Sequence, residues 1–270
     1  MVIGGRDFDV WNHTYIMGIL NVTPDSFSDG GRYDRVERAL EQAGRMIGEG
    51  ADIIDVGGES TRPGFTPVSC REEMERVLPV IQAIHEKYKI PVSVDTYKSS
   101  VAREALQAGA CLVNDIWGLK GDEAMAETIA RAGACCCLMH NRHKPANRHF
   151  MNVILEEMAD TVLAAKKAGI QDEKIILDPG VGFGKTYEMN LEVIGNLSAF
   201  RRFAYPVLLG ASRKSVIGQA LDLPVDQREE GTLVTTVMAV LNGCSFVRVH
   251  DVSGNKRAVT MARAILNSYK

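Results

Sequence analysis

Eight short apolar runs in this sequence are each followed at once by residues that can do chemistry. Asn21 follows YIMGIL, and a run ending at Asp55 opens into VGGESTRPG. Further on come Asp95-Thr96, Asn114-Asp115, Met139-His140, Asp178-Pro179-Gly180, the stretch GASRKS with Ser212 to Ser215, and Arg248-Val-His250. Buried carboxylates such as Asp95 and Asp178 can accept N–H bonds or favour a developing cation, and Asn114 can both donate and accept. Arg248 and His250 stand two apart on a strand and so share a face, making a cationic patch if that face is turned to a site. Lys214 and Ser215 open a helical stretch, where free amides and cations favour an anion. Plainer roles remain open for single residues. Asn21, Asp95 and Asp178 could each cap a loop or a helix, and Lys214 could instead form a Schiff base.

The elements that would carry these residues alternate regularly. The strand candidates are 15–20, 53–56, 91–94, 112–114, 134–139, 175–177, 206–209 and 246–249, with a mean spacing between their ends of about 33 residues. That spacing suits one strand, one helix and two loops per unit. Segments of helical periodicity fill the gaps, many ending in Gly just before the next strand, as at Gly50, Gly109, Gly133, Gly169 and Gly243. Eight such units predict an α/β fold, a (β/α)₈ TIM barrel, with an open doubly wound sheet as its rival. No linker or low-complexity tract divides residues 1–270, so one domain is expected, with residues 1–14 covering the barrel floor. The polar residues then gather at one rim, after the C-terminal strand ends, while the turns entering the strands (GAD, IP, GAC, YP, GCS) are short and plain.

Composition narrows the function. Among 270 residues, 31 Lys and Arg stand against 34 Asp and Glu, a net charge of −3, which disfavours broad capture of nucleic acid or an anionic membrane. No apolar run approaches a membrane span, and MVIGGRDFDVWNH lacks the layout of a secretory signal. The six cysteines form no CxxC, and Cys135, Cys136 and Cys137 would alternate faces on a strand, so free thiols and a cytoplasmic location are expected. One motif misleads. The stretch from Pro179 to Lys185-Thr186 nearly matches a phosphate-binding P-loop, but Pro179 replaces its first glycine and has no N–H to offer.

Two stretches, NVTPDSFSDGG from Asn21 and DVGGESTRPG from Asp55, together with SVDT, ND, LMH, DPGVGFG, SRKS and RVH in the same order, resemble the signature segments of dihydropteroate synthases. The likeness runs from the first strand candidate to the last. It implies a transferase of folate biosynthesis, the target of sulfonamides, that joins 6-hydroxymethyl-7,8-dihydropterin diphosphate to p-aminobenzoate with Mg²⁺, releasing diphosphate and 7,8-dihydropteroate. By the same resemblance, the pterin is held by residues matching Asp95, Asn114, Met139, Asp178, Phe183 and Lys214. Asn21, Thr61, Arg62, Arg248 and His250 match the diphosphate contacts, with Asn21 also at the metal. Phe27, Pro63, Phe183, Lys214 and Ser215 match the p-aminobenzoate pocket. Asp95, Asn21, Lys214, Asp29 and Arg62 are the candidate catalytic residues. A homodimer is implied as well.

The chemistry of the residues suits the task. The aminopyrimidinone edge of a pterin can give two N–H bonds to a carboxylate such as Asp178, and Met139 and Phe183 offer apolar faces to its ring. An aniline nitrogen is a weak nucleophile, so a dissociative, SN1-like route through a cationic methylene is expected, with Asp95 favouring that cation. The glycine-, proline- and serine-rich loops 22–31 and 58–70 are expected to close over it and exclude water. One segment departs from the family: after His140 the chain reads NRHKPANRH through His149, not the usual Met-Gln-Gly-Thr-Pro type. Two alternatives stand beside the synthase. One is a methyltetrahydrofolate–corrinoid methyltransferase, which shares the pterin residues but needs neither the lid loops nor the diphosphate set. The other is a non-catalytic pterin-binding paralogue.

Overall fold

The structure is a computed structural model that describes residues 1–23, 32–59, 67–146 and 150–268. It opens with an antiparallel hairpin, β1 (Val2–Ile3) and β2 (Arg6–Asp7). Eight parallel strands follow: β3 (Tyr15–Asn21), β4 (Ile53–Gly57), β5 (Val92–Asp95), β6 (Leu112–Asp115), β7 (Cys135–Met139), β8 (Ile175–Asp178), β9 (Leu208–Leu209) and β10 (Phe246–Val249). From β3 to β8 each strand pairs with the next, and β10 pairs with both β9 and β3. A single bridge between Leu177 and Val207 joins β8 to β9. The sheet thus rolls into a nearly closed (β/α)₈ barrel, and the open doubly wound alternative is set aside. The seventh barrel strand is shorter than the 206–209 expected, since Pro206 has no N–H for the ladder and contributes only its carbonyl, to Leu177 N at 2.9 Å.

Helices wrap the outside because their apolar stripes need the outer face of the sheet. They are α1 (Arg32–Gly48), α2 (Cys70–Lys87), α3 (Ser99–Gln107), α4 (Met125–Ala132), α5 (Phe150–Lys167), α6 (Tyr187–Gly195), α7 (Ser215–Leu221), α8 (Glu229–Leu241) and α9 (Val252–Asn267). α4 illustrates how they stop. Gly133 takes a left-handed φ of 59°, and the next strand begins two residues later. Among the described residues no helix is long and apolar enough to cross a membrane.

Two cores result from the period-two alternation of the strands. One lies between sheet and helices, where Ile54, Val56, Val94, Val113, Cys136 and Leu177 pack. The other fills the lower barrel with Met17, Ile53, Leu112, Cys135, Cys137, Ile176, Leu208 and Phe246, sealed from below by Ile3, Phe8 and Val10 of the N-terminal segment. Cys135 and Cys137 therefore face one way and Cys136 the other, and all six thiols are free. Two residues further along four of these inward faces come Asp55, Asn114, Asp178 and Arg248. The barrel is apolar at its floor and charged toward its mouth.

Candidate active site

Strand register alone aligns four positions across the mouth: Asn21 opposes Gly57, Gly57 opposes Asp95, and Asp95 opposes Asn114. Gly57 leaves a gap there. A methyl group placed on it would lie 3.4 Å from Asn21 Oδ1 and 3.7 Å from Asp95 Oδ2, so both side chains border one small space. Gly210 leaves a second, bordered by Asp178 Oδ2 at 3.5 Å and Lys214 Nζ at 3.9 Å. Arg248 sits between the carboxylates. Its Nε donates to Asp55 Oδ2 and its Nη2 to Asp95 Oδ2, each at 2.6 Å, while Asn114 Nδ2 reaches Asp55 Oδ2 at 3.4 Å.

The electrostatics of this cluster are incomplete. Among the described residues, Asp55 Oδ1, Ser93 Oγ and Asp95 Oδ1 are buried without a hydrogen-bond partner. An orphaned buried acceptor costs about 1–3 kcal/mol, so three of them on adjacent strands mark a place where a ligand supplies the missing donors. Burial pushes the Asp95 carboxyl up to about 7, against the pull of the Arg248 guanidinium and with the push of Asp55. Burial also works against the charge on Arg248, but Asp55 and Asp95 outweigh it and hold the guanidinium protonated.

Around this centre the loops add their groups. Asp178, 4% exposed, accepts from Gly180 N at 2.7 Å through Oδ1. Lys214 Nζ donates to Val181 O at 2.5 Å and lies 4.6 Å from the centre of the Phe183 ring. Burial lowers the pKa of Lys214 to about 8, against Asp178, and raises that of Asp178, against Lys214. Met139 is paired in register with Asp178 and is buried. Ser212 Oγ lies 2.9 Å from His250 Nδ1 and accepts from His250 N at 3.2 Å, which fixes that ring at the rim. Ser215 is the exposed first residue of α7. The strand-end residues and the loops after β8, β9 and β10 thus converge on one mouth, carrying acceptors, a cationic centre and an aromatic face.

A family described as pterin-binding enzymes matches residues 17–250. A dihydropteroate synthase of Clostridium beijerinckii is 54% identical over 98% of this chain and 99% of its own. Among solved structures, a Clostridium difficile dihydropteroate synthase determined in the presence of pteroic acid is 48% identical, with TM-score 0.93 over 96% of this chain and 99% of that one. A Yersinia pestis dihydropteroate synthase in complex with a sulfonamide drug superposes with TM-score 0.92 at 40% identity, covering 99% of both chains. The chain belongs to the dihydropteroate synthases. This near-full-length likeness sets aside the corrinoid methyltransferase.

Within this dihydropteroate synthase fold, Asn21, Asp95, Asn114, Met139, Asp178, Phe183, Lys214, Ser215, Arg248 and His250 all stand at the barrel mouth. Phe27, Asp29, Thr61, Arg62 and Pro63 lie outside the described residues. Arg248, expected among the anion contacts, stands at the mouth and pairs there with Asp55 and Asp95. Asp55 itself was not singled out from the sequence, although a charge inside the apolar strand Ile53–Gly57 was the available signal.

A second buried ion cluster went unforeseen. Lys98 Nζ donates at 2.6 Å to both Glu59 Oε2 and Glu73 Oε2, and at 2.9 Å to Val68 O. Tyr97 OH donates to Glu59 Oε1 at 2.9 Å, Val68 N to Glu59 Oε2 at 2.8 Å, and Arg76 Nη1 to Gly58 O at 2.8 Å. These bonds pin both described ends of the loop that spans 58–70. In the unusual segment after β7, His140 is buried with its Nε2 2.8 Å from Glu157 Oε2, and Arg142 Nη1 lies 3.2 Å from Glu157 Oε1. His143 packs on Trp117 with ring centres 4.7 Å apart. Asn147, Arg148 and His149 lie outside the described residues.

Proposed function

We propose that this dihydropteroate synthase condenses 6-hydroxymethyl-7,8-dihydropterin diphosphate with p-aminobenzoate by a dissociative route, with the pterin seated over the unpartnered carboxylate oxygens of the barrel mouth. The orphaned acceptors at Asp55 and Asp95 are the observation that carries the reading. Asp178 accepts N–H bonds from the aminopyrimidinone edge, Asn114 offers a donor and an acceptor, and Lys214 turns from Val181 O to the carbonyl side of the ring. As the methylene C–O bond breaks, its electron pair leaves with the diphosphate and positive charge spreads over the pterin. The Asp95 carboxylate lowers the energy of that cation. The aniline lone pair then forms the C–N bond, and the nitrogen gives up a proton to solvent.

Asn21, Arg248 and His250, with Thr61 and Arg62, form the diphosphate side. Among the described residues no group of three or more His, Cys, Asp or Glu could hold a metal. One neutral side-chain oxygen beside a gap fits Mg²⁺ all the same, since that ion keeps waters and takes one or two protein oxygens plus those of a phosphate. Asn21 would hold it, and bound there it neutralises charge on the departing diphosphate. Phe183, Lys214 and Ser215, with Phe27 and Pro63, form the p-aminobenzoate pocket, and Asp29 belongs to the loop that excludes water from the cation.

Exposed Leu221, Val234, Leu241 and Met261 on α7, α8 and α9 support a homodimer through the outer helices, and six free thiols support a reducing, cytoplasmic setting. The test is an assay with the pterin diphosphate, p-aminobenzoate and Mg²⁺. Release of diphosphate matched by dihydropteroate is expected. Pterin binding without either product would instead identify a non-catalytic paralogue.

A further inference from the structure

The lysine of the P-loop lookalike points into its own loop. Lys185 Nζ turns back into its own loop, donating to Gly180 O at 2.7 Å and Phe183 O at 3.0 Å, and lies 3.3 Å from His140 O. His140 Nδ1 lies a further 3.0 Å from it. Burial, with Lys185, Lys120 and Arg142 nearby, lowers the pKa of His140 to about 2, so its ring is neutral. Its partners assign the tautomer: Nε2–H donates to Glu157, and Nδ1 accepts from Lys185. Burial also lowers the pKa of Lys185, to about 7, against Asp178. One nitrogen thereby ties the loops after β7 and β8 to each other and, through His140, to α5.

The glycines make this close approach possible. Gly180 and Gly184 hold left-handed φ angles of 72° and 56°, and a methyl group on either would lie 1.9 Å from His140 O or 2.2 Å from Arg142 O. The two backbones touch, with no side chain between them. The same loop carries Val181 and Phe183, which meet Lys214 Nζ at 2.5 Å from Val181 O and 4.6 Å from the ring. Asp178 and Asn114, by contrast, stand on strands whose ladders fix their backbones, although Asp178 Oδ1 also accepts from Gly180 N of this loop.

We infer that Lys185 is a positioning residue that gathers the carbonyls of Gly180 and Phe183 and the His140 ring onto one nitrogen and so sets the Phe183–Lys214 wall of the second-substrate pocket. The inference rests on the assignment of that wall to p-aminobenzoate. Its consequence is unequal: the pterin also meets Phe183 and Lys214 but keeps Asp178 and Asn114 on their strands, whereas p-aminobenzoate leans mainly on the displaced wall.

The experiment compares wild type with Lys185→Met. Wild-type turnover of pterin diphosphate and p-aminobenzoate is measured first and tests the proposed activity by itself. In the variant, the KM for p-aminobenzoate is expected to rise about tenfold or more, while pterin diphosphate affinity by calorimetry stays within about threefold. Lys185→Ala with added n-propylammonium, which matches the missing side-chain atoms, is expected to recover much of the lost KM. If Lys185→Met does not fold, Lys185→Ala is purified with the amine and assayed before and after its removal. An unchanged KM, or parallel loss of affinity for both substrates, overturns the assignment.

Discussion

Two buried ion clusters lie near the same rim of the barrel, and they differ in what they leave unsatisfied. Around Lys98, the carboxylates of Glu59 and Glu73 meet the ammonium, a tyrosine hydroxyl and a backbone N–H, and among the described residues none of their oxygens stands buried without a partner. Around Arg248, Asp55 and Asp95 each spend one oxygen on the guanidinium and leave the other bare. Both clusters remove charge from water at a cost that only partners can offset. The saturated one has no capacity left for a ligand and braces the loop spanning 58–70. The unsaturated one is held in readiness for a substrate that brings its own donors and positive charge. Between these two clusters, open valences separate scaffold from site where charge and burial alone do not.

Removing each cation in turn sharpens that contrast. Arg248→Met should lower kcat/KM for the pterin substrate roughly 10²–10³-fold, because Asp55 and Asp95 then share a proton and lose their alignment. Lys98→Met should cost about 3–5 kcal/mol of stability at neutral pH, read from denaturant unfolding, while pterin affinity moves less than about threefold. That destabilisation should shrink on acidification. Burial already raises the pKa of Glu73, so protons taken up by Glu73 replace the missing cation. If both variants lose pterin affinity equally, the division between brace and site fails.

The pH dependence separates activity from stability. With the Asp95 pKa raised from 3.8 to about 7 in the folded state, its contribution to stability is full below about pH 4 and is lost as pH rises through 7. In the proposed mechanism the working form of Asp95 is the carboxylate, so kcat/KM should fall by about tenfold per unit below pH 7. Acid should therefore slow the enzyme over a range in which this group makes it more stable. A pH–rate profile flat between 5 and 8 would contradict the shift. Asp55→Asn should have the smallest effect, about fivefold on kcat/KM, because Asp95 still holds Arg248 and the asparagine oxygen can accept from Nε.

The sequence carried the barrel because each strand pattern is local and repeats at a nearly constant interval, and register then placed Asn21, Asp95 and Asn114 side by side. It also carried the glycine-rich loops near the site. What stayed hidden depends on contacts between distant segments. Glu73 and Lys98 lie in charged stretches that look like solvated helix surface, and only the packing of α2 against the loop beginning at Gly58 buries them. Lys185 looked like half of a phosphate motif, and its true partners sit 45 residues away at His140 as well as in its own loop. Asp55 was visible as a charge in an apolar strand, but nothing local says that Arg248, 193 residues later, will meet it.

The central claim is that the bare oxygen of Asp95 serves the cation of the reaction more than the binding of the pterin. Asp95→Asn keeps the shape and removes the charge, so pterin diphosphate affinity by calorimetry and turnover by diphosphate release can be compared on one preparation. Affinity within about fivefold of wild type with turnover reduced about 10³-fold is the expected outcome. Near-normal turnover, or a loss of affinity large enough to explain the loss of rate, would contradict it.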